Sequence, residues 1–408
     1  MTTLLKTMAA ALILTALPGC GNPVPETPPP PGSWLVLLCR AADAPAEPQP
    51  PAFYQELFAR GQADMLFNYF DLTSNSTLDV SGSRVQGWFP MQVNTADIGP
   101  TVRNNGMPVT RTQTARDCRF AALAALAARG TIVDPANYAG VITVINVPID
   151  VGAAGDRSVV INAQHAQVEV GFIAHEMMHI LGLPDSWRAT QDTSADHVWR
   201  GGAGGIYGDC WDMMSFRSCV YLFQSPRGAH GPELQGVFRE RLGWLPTNRI
   251  QTIGAYPPRS TSVTLAPLSD PSQSGPLLVK VEVAGKGHYS VEYRERGRFD
   301  RGIPSPAVVI REVTPSGPTH LVHRQNGRID WIAGEMFTDP GNFISIAVNT
   351  IASGAAAITV NTAYSTSAGA RNEWCGEKSR GQVRACAAGL QCDARRTGSL
   401  VSIDWYCQ

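Results

Sequence analysis

The sequence predicts a mixed α/β (α+β) domain over residues 34–250, a β-sandwich domain over residues 251–365 and a small disulfide-rich module over residues 366–408. Helical and strand patterns are mixed up to about residue 250, whereas short apolar runs separated by Gly, Pro and Ser follow it. Four of the nine cysteines lie in the last module, which favours a separate stapled unit. With 408 residues, 44% of them apolar, the chain is large enough for two or three such cores.

The N-terminus has the pattern of a bacterial lipoprotein signal peptide. Lys6 precedes an apolar run over residues 8–17, and a small residue lies directly before Cys20. The run is too short to cross a membrane as a stable helix, so we expect residues 1–19 to be removed and Cys20 to be lipidated. The alternative is an ordinary signal peptide with a coincidental cysteine. We therefore expect export from a bacterial cell as an outer-membrane or cell-surface lipoprotein, or secretion if Cys20 is not lipidated.

The segment after Cys20 is rich in proline, and residues 20–33 are expected to form an extended tether in front of the first domain. No second long apolar run follows, so a contact with a membrane is expected only through the lipid. The formal net charge of −1 provides no basic field. Nucleic acid is therefore not an expected partner.

Local patterns place the elements of the first domain. Thr114 and Asp117 resemble a capping box that opens an alanine-rich helix, which Gly130 is expected to end. Residues 141–147 predict a buried strand, and residues 158–162 predict a short strand just before the next helix.

The second domain is predicted to be all β, with strands at the apolar runs of residues 277–283, 307–310, 344–348 and 357–360. The block of residues 292–301 carries both signs of charge. We expect it to be a solvated strand and turn rather than a binding site.

The cysteines agree with export. Without Cys20, eight remain, and in an exported protein an even number predicts four disulfides. Cys39–Cys118 would tie the first strand to a helix, and Cys210–Cys219 would close a short loop. The others, for which three connectivities are open, are Cys375, Cys386, Cys392 and Cys407.

The most specific chemical pattern is HExxHxxGxxD, formed by His175, Glu176, His179, Gly182 and Asp185. On a helix, His175 and His179 share a face and can bind one ion together. Glu176 is placed to contact a water on that ion rather than the ion itself. Gly182 can adopt the backbone angles that end a helix, so that the chain turns back and Asp185 can supply a third ligand. Three protein ligands leave one position open, as in catalytic zinc sites.

Other interpretations of this motif stay open. The further candidates for the third ligand are Asp192, Asp196 and His197. Asp185 is favoured over them because the turn at Gly182 delivers it directly. The structural alternative is a buried helix whose histidines only make hydrogen bonds, but buried titratable groups are costly without partners.

A second pattern lies downstream, where residues 207–215 read YGDCWDMMS. Together with the HExxHxxGxxD helix, it resembles the immune inhibitor A-like family of secreted bacterial metzincin metalloproteases. A weaker similarity spans roughly residues 34–362. It is carried by residues 34–38, 53–58, 78–89, 289–294, 297–300 and 337–340.

The resemblance implies a metzincin-like catalytic domain with a Zn²⁺ cofactor. Its zinc ligands would be His175, His179 and Asp185, and Glu176 would be its general base.

Two further implications concern the surroundings of the metal. Met214 would be the residue of the Met-turn beneath the zinc, with Met213 as the alternative, and a Cys210–Cys219 disulfide would stiffen this floor. In metzincins, the edge strand at the place of residues 158–162 pairs with extended substrate, so that the backbone aligns the peptide.

These observations predict an exported zinc-dependent endopeptidase that hydrolyses peptide bonds of extracellular proteins, with a protein or peptide as its substrate. Zinc would lower the pKa of a bound water, and Glu176 would accept its proton and deliver it to the leaving amine. The alternative from another class is a lipid-anchored surface binding or adhesion protein with little or no hydrolysis. A zinc amidase that acts on a non-protein substrate is a third hypothesis. Calcium is a further candidate cofactor, with no aspartates singled out as its ligands.

Overall fold

The computed structural model describes residues 24–98, 103–104, 107–108, 110–164, 169–188, 206–215, 220–255, 259–283, 286–314, 319–323, 328–339, 342–362, 376–378, 382–384, 392–397 and 402–407. The predicted signal peptide and the predicted lipidation site, Cys20, lie outside these residues. Among the residues described, no helix has both the length and the hydropathy needed to cross a bilayer.

Within the described residues, helices are few and mostly short. The α-helices are α1 Pro51–Gln55, α2 Leu66–Thr73, α3 Thr95–Ile98, α4 Arg111–Ala128, α5 Val170–Ile180 and α6 Gly236–Arg241. Short 3-10 turns lie at Glu56–Phe58, Pro135–Asn137, Met213–Ser215, Thr247–Arg249 and Arg298–Asp300.

The first half of the chain builds one five-stranded sheet and smaller pairings. Its strands are β1 Val24–Pro25, β2 Trp34–Arg40, β3 Arg84–Pro90, β4 Arg103–Asn104, β5 Met107–Pro108, β6 Thr131–Ile132, β7 Gly140–Ile145, β8 Gly152–Ala154 and β9 Ser158–Asn162. The sheet has the order β3-β2-β7-β9-β8, in which only β8 runs antiparallel to its neighbour.

Strand β2 shows why both faces of this sheet are covered. Successive side chains of a strand point to opposite faces. Trp34, Val36 and Leu38 belong to the core that also contains the residues of α5, whereas Leu37 and Cys39 belong to the core that contains those of α4. The sheet therefore separates α5 from α4.

The Cys39–Cys118 disulfide predicted from the sequence is present and joins β2 to α4, with the two Cα atoms 5.7 Å apart. Cys210 is also disulfide-bonded, and its predicted partner Cys219 lies outside the described residues.

The structure corrects two expectations about the first domain. Residues 158–162 do form a strand, but β9 is interior, and the edge of the sheet is β8. Helix α4 begins one turn before the predicted capping box, because the Thr110 side chain accepts a hydrogen bond from the Gln113 amide at 3.2 Å and caps it there.

The predicted tether is packed on the domain over its second part. Strand β1 pairs in parallel with β6. Glu26 forms a salt bridge with Arg84 and accepts a hydrogen bond from the Tyr138 hydroxyl at 2.8 Å. Proline enrichment favours extended chain, and an extended chain can equally well add to a strand as remain free.

The second half of the chain contributes most strands of a seven-stranded sheet and all strands of a four-stranded sheet. The strands are β10 Trp187–Arg188, β11 Ile206–Tyr207, β12 Phe223–Ser225, β13 Gly228–His230, β14 Ile250–Ile253, β15 Arg259–Leu265, β16 Leu278–Val283, β17 Gly287–Arg294, β18 Ala307–Val313, β19 Thr319–Leu321, β20 Met336–Asp339, β21 Ile344–Ala352 and β22 Ala355–Thr362. One sheet has the order β11-β10-β19-β18-β17-β16-β14, and the other has the order β15-β22-β21-β20.

The two sheets share one hydrophobic core, to which both contribute buried side chains such as Val291 and Ile346. The seven-stranded sheet crosses the boundary that was predicted at residue 250. Its strands β10 and β11 come from the chain just after the HExxH helix, and β10 pairs in parallel with β19. The two predicted domains are therefore joined by main-chain hydrogen bonds.

In the predicted C-terminal module, the structure describes two hairpins, formed by β23 Gly376–Lys378 with β24 Gln382–Arg384 and by β25 Cys392–Thr397 with β26 Ser402–Cys407. The register of the second hairpin places Cys392 opposite Cys407. Cys375 and Cys386 lie outside the described residues.

Candidate metal centre

Helix α5 carries the HExxH residues into the interior. Every residue from Val170 to Met178 is buried, and His175 and Glu176 are only 6% and 7% exposed. The helix ends at Ile180, after which Gly182 adopts a φ of +95° and the Leu183 amide donates to the Met178 carbonyl at 3.1 Å. This glycine turn, which the sequence predicts, sends the chain back toward the histidines.

Three ligand atoms then converge. The Nε2 atoms of His175 and His179 are 3.0 Å apart, and Asp185 Oδ1 lies 3.3 Å from the His179 Nε2 and 3.6 Å from the His175 Nε2. Ligands about 2.0–2.1 Å from a tetrahedral zinc ion lie about 3.3–3.4 Å from each other. The observed triangle has the size that such an ion requires.

The hydrogen bonds of the other ring nitrogens fix the form of both imidazoles. His175 Nδ1 lies 3.0 Å from the Met213 carbonyl oxygen, and His179 Nδ1 lies 2.8 Å from that of Leu183. A carbonyl oxygen only accepts, so each Nδ1 carries a proton, and in the neutral imidazole each Nε2 then presents a lone pair. Two lone pairs facing each other at 3.0 Å repel unless a cation lies beside them. The pair therefore fits a metal ion better than a mere hydrogen-bonding role.

The electrostatics of the two histidines differ. Burial and the neighbouring His179 lower the pKa of His175, which favours the neutral form that binds a metal. Burial also acts to lower the pKa of His179, but the hydrogen bonds with Asp185 and the Leu183 carbonyl outweigh it and raise that pKa.

Glu176 lies beside this triangle and is held by the edge strand. Its Oε2 accepts a hydrogen bond from the Ala153 amide of β8 at 2.6 Å. Glu176 also has a carboxylate oxygen within 4.8 Å of both histidine ligand atoms, so by distance alone it competes with Asp185 for the metal. Asp185 is the better third ligand, because its Oδ1 completes the triangle while a Glu176 oxygen is already bound to β8.

The remaining predicted residues divide into two groups. Met213 and Met214 are both buried in the core beneath α5. The Met213 carbonyl orients His175, and the Met214 carbonyl accepts from the Ser186 amide at 3.0 Å. The alternative third ligands, which are Asp192, Asp196 and His197, lie outside the described residues.

The sequence patterns single out none of the groups on β8. Arg111 Nη1 donates to the Ala153 carbonyl at 3.3 Å, and Arg111 Nε forms a 2.7 Å salt bridge with Asp150. A Cβ on Gly152 would lie 2.1 Å from Arg111 Nη1 and 3.5 Å from Glu176 Oε2. The glycine thus leaves room for the guanidinium group next to the Glu176 carboxylate. The contact joins segments about 40 residues apart, and no local pattern signals it.

The charge-rich block of residues 292–301 is solvated only in part. Arg296, Arg298 and Arg301 are exposed as expected, but Glu292, Arg294 and Asp300 are all 0% exposed. Burial alone would raise the pKa of Glu292, but Arg311 and Arg294 outweigh it and lower that pKa to about 2. These groups are paired in the interior, behind the loop that carries Met213.

The comparisons with known proteins assign no family. No family model matches the chain, and no curated protein matches it. Among solved structures, the chain is similar to wild-type OgpA from Akkermansia muciniphila, with 11% identity over 78% of this chain and 88% of that chain, at a TM-score of 0.30. A likeness of this size assigns neither a fold nor an activity, so the function has to be inferred from the geometry of the site.

Proposed function

We propose that the protein is a zinc-dependent endopeptidase, exported from a bacterial cell and anchored by a lipid on Cys20. The observation that carries the proposal is the convergence of His175 Nε2, His179 Nε2 and Asp185 Oδ1 within 3.0–3.6 Å of one another. Each imidazole is fixed in the form that presents a lone pair to that point. Three ligands of this kind leave an open coordination position.

In the proposed mechanism, His175, His179 and Asp185 would hold the ion. Zinc bound there would lower the pKa of a coordinated water and polarise the carbonyl group of the substrate. Glu176 is the group placed to accept a proton, because one of its oxygens is fixed by the Ala153 amide while its carboxylate lies beside the ligand triangle. The same carboxyl group can then donate that proton to the leaving amine.

Strand β8 is the proposed position for an extended peptide. It is an edge strand of the five-stranded sheet and lies directly beside Glu176, with the Ala153 amide bound to Glu176 and the Ala153 carbonyl bound to Arg111. Backbone pairing with an edge aligns a peptide without reading its sequence. The edge strand thus supports a polymer substrate rather than a small amide.

The test uses a soluble chain that begins at residue 24, so that the pairing of β1 with β6 is retained. The parent should contain one zinc per chain, cleave casein, lose this activity to a chelator and regain it with Zn²⁺. Glu176→Gln is the matched control, because its amide oxygen still accepts from Ala153. It should keep the zinc and lose cleavage by about 100-fold or more, the contribution expected of a general base.

The outcomes separate the hypotheses. Equal cleavage by the parent and Glu176→Gln would show that Glu176 is not the general base or that a contaminating protease cleaves the casein. A parent that binds zinc without cleaving casein or a peptide library would favour a surface binding protein. Mass spectrometry of the products would distinguish an endopeptidase from an amidase.

A further inference from the structure

A cluster of charged side chains is enclosed between the residue 208–215 loop and the seven-stranded sheet. Each member is at most 1% exposed. We call it the central charge cluster, and its members are Asp209, Asp212, Glu233, Arg239, Glu292, Arg294, Asp300 and Arg311. Buried charges are strongly unfavourable unless each one is paired and hydrogen-bonded. The geometry around this cluster is therefore tightly determined.

Two arginines from the sheet bind the residue 208–215 loop directly. Arg311 on β18 donates from Nε to Asp209 Oδ2 at 2.5 Å and from Nη2 to Asp209 Oδ1 at 3.3 Å. Arg294 on β17 donates from Nη1 to the Trp211 carbonyl at 2.8 Å. Both guanidinium groups also contact Glu292 Oε1, at 2.8 Å and 3.0 Å. The loop is thus fixed at two positions just before Met213.

The loop in turn holds two parts of the metal centre. The Met213 carbonyl orients His175 through the 3.0 Å contact with Nδ1. Ser215 Oγ donates to the Ser186 carbonyl at 3.0 Å, and the Ser186 amide donates to the Met214 carbonyl at 3.0 Å. Ser186 directly follows Asp185, so the loop fixes the backbone next to that ligand.

The same sheet also receives the chain after Asp185. Trp187 and Arg188 form β10, which pairs with β19 at His320 and Leu321. The seven-stranded sheet and the loop bound to it therefore position both the Met213 carbonyl, which orients His175, and the backbone next to Asp185. Groups that orient metal ligands commonly affect metal affinity by about 10- to 100-fold.

We propose that Arg311 and Arg294 are positioning residues of the metal centre, which act through the residue 208–215 loop on His175 and Asp185. The inference rests on the proposed function, because it assumes that these residues bind zinc. It extends that function by making the seven-stranded sheet a part of the active site. The alternative is that the cluster only stabilises the fold.

The test compares zinc binding by full chains. The first variant is Asp209→Asn/Arg311→Met, which removes one positive and one negative charge together and leaves Glu292 paired with Arg294. The second is Asp209→Asn alone. The cluster contains five carboxylates and three guanidinium groups, so the loss of one negative charge reduces its charge imbalance and should not prevent folding. The control is Val348→Ala, which creates a cavity in the core between the two sheets, a core to which no residue of the loop belongs.

Zinc affinity is measured by competition with a chromogenic chelator, and ligand geometry by the visible absorption spectrum of the Co²⁺-loaded proteins. Both loop variants should keep a cooperative thermal transition, bind zinc about 10- to 100-fold more weakly and change the Co²⁺ spectrum. Val348→Ala should be less stable with an unchanged zinc affinity and spectrum. If the cluster only stabilised the fold, the loop variants would be less stable but would keep the parental zinc affinity and Co²⁺ spectrum.

Either loop variant decides the question if the other does not fold. A folded variant with parental zinc affinity and Co²⁺ spectrum would overturn the inference and leave the proposed function intact. A parent that binds no zinc would overturn the proposed function, and the inference with it. An equal loss of affinity in Val348→Ala would also overturn the inference, since any loss of stability would then weaken zinc binding.

Discussion

Asp185 is the ligand residue that lies outside the HExxH helix, and the turn at Gly182 brings it to the histidines. We predict that Asp185→Asn weakens zinc binding by at least about tenfold, because a neutral amide replaces an anionic ligand 3.3 Å from the His179 Nε2. About tenfold is the smallest loss of affinity expected when a group that only orients a metal ligand is removed, and a ligand itself should matter at least as much. Chelator competition measures this. Asp192→Asn and Asp196→Asn are the controls and should bind zinc like the parent. A loss confined to either control would reassign the third ligand.

The site was predictable to the extent that it is local. His175, Glu176 and His179 lie within one and a half helical turns, and Gly182 determines where Asp185 goes, so spacing alone brings these residues together. Glu292 and Arg294 were expected to be solvated, whereas Arg311 pairs with Glu292 and the Trp211 and Glu233 carbonyls accept from Arg294. These partners come from other segments of the chain. A run of mixed charges looks the same in sequence whether it is solvated or paired in a core.

Glu312 provides a pH-dependent test of the second half of the chain. Burial and the neighbouring Asp339 raise its pKa from 4.5 to about 8, against the opposing effect of Lys286. Between these values the folded protein binds a proton that the unfolded chain has released, so the free energy of unfolding falls as pH rises through this window. Above pH 8 the contribution is lost.

We therefore predict that Glu312→Gln flattens this dependence and is more stable than the parent at pH 9, by on the order of 4 kcal/mol. Urea unfolding at pH 5 and pH 9 measures it. Glu282→Gln, an exposed carboxylate on the neighbouring strand β16, should change the free energy of unfolding little at either pH. A parallel response of the two variants would refute a special role for Glu312.

At the scale of elements, the sequence predicted the type of most long segments but not how they combine. The predicted strand at residues 158–162 and the observed β9 coincide. Its place in the sheet was predicted wrongly, because strand β8, which lies outside it, was not expected. Strand β8 is Gly152–Ala154, and this segment lacks the apolar run that signals a strand. The edge that lies beside Glu176 was thus attributed to the wrong segment. Which strand is outermost depends on pairing, and pairing is not local.

The Cys39–Cys118 disulfide allows the two faces of the five-stranded sheet to be tested separately. The bridge spans 79 residues, so Cys39→Ala/Cys118→Ala should lower the free energy of unfolding by about 4.5 kcal/mol. Zinc affinity should stay at the parental value, because the bridge lies on the α4 face and α5 packs on the other. Urea unfolding and chelator competition measure the two effects. A variant that folds but loses zinc would show that the faces are coupled.

For the whole molecule, the structure shows how the two predicted domains are joined. Composition changes near residue 250, and this change predicted a boundary there. The structure instead runs β10 and β11 into the seven-stranded sheet and buries the central charge cluster across the same boundary. Composition reports which residues can form strands, but not which part of the chain supplies the edge of a sheet.

The final prediction is that the predicted catalytic domain does not function without the sheet that follows it. A chain of residues 24–250 loses Glu292, Arg294, Asp300 and Arg311. The buried Asp209 carboxylate then lacks its arginine partner, and the Glu233 and Gly236 amides lack the carboxylates that accept from them. Since unpaired carboxylates cannot remain buried, we expect no cooperative thermal transition and no stoichiometric zinc binding. A chain of residues 24–362, which keeps both sheets, is the control and should unfold cooperatively and bind zinc like the parent. If the shorter chain folds and binds zinc with parental affinity, the metal centre is independent of the second half of the molecule.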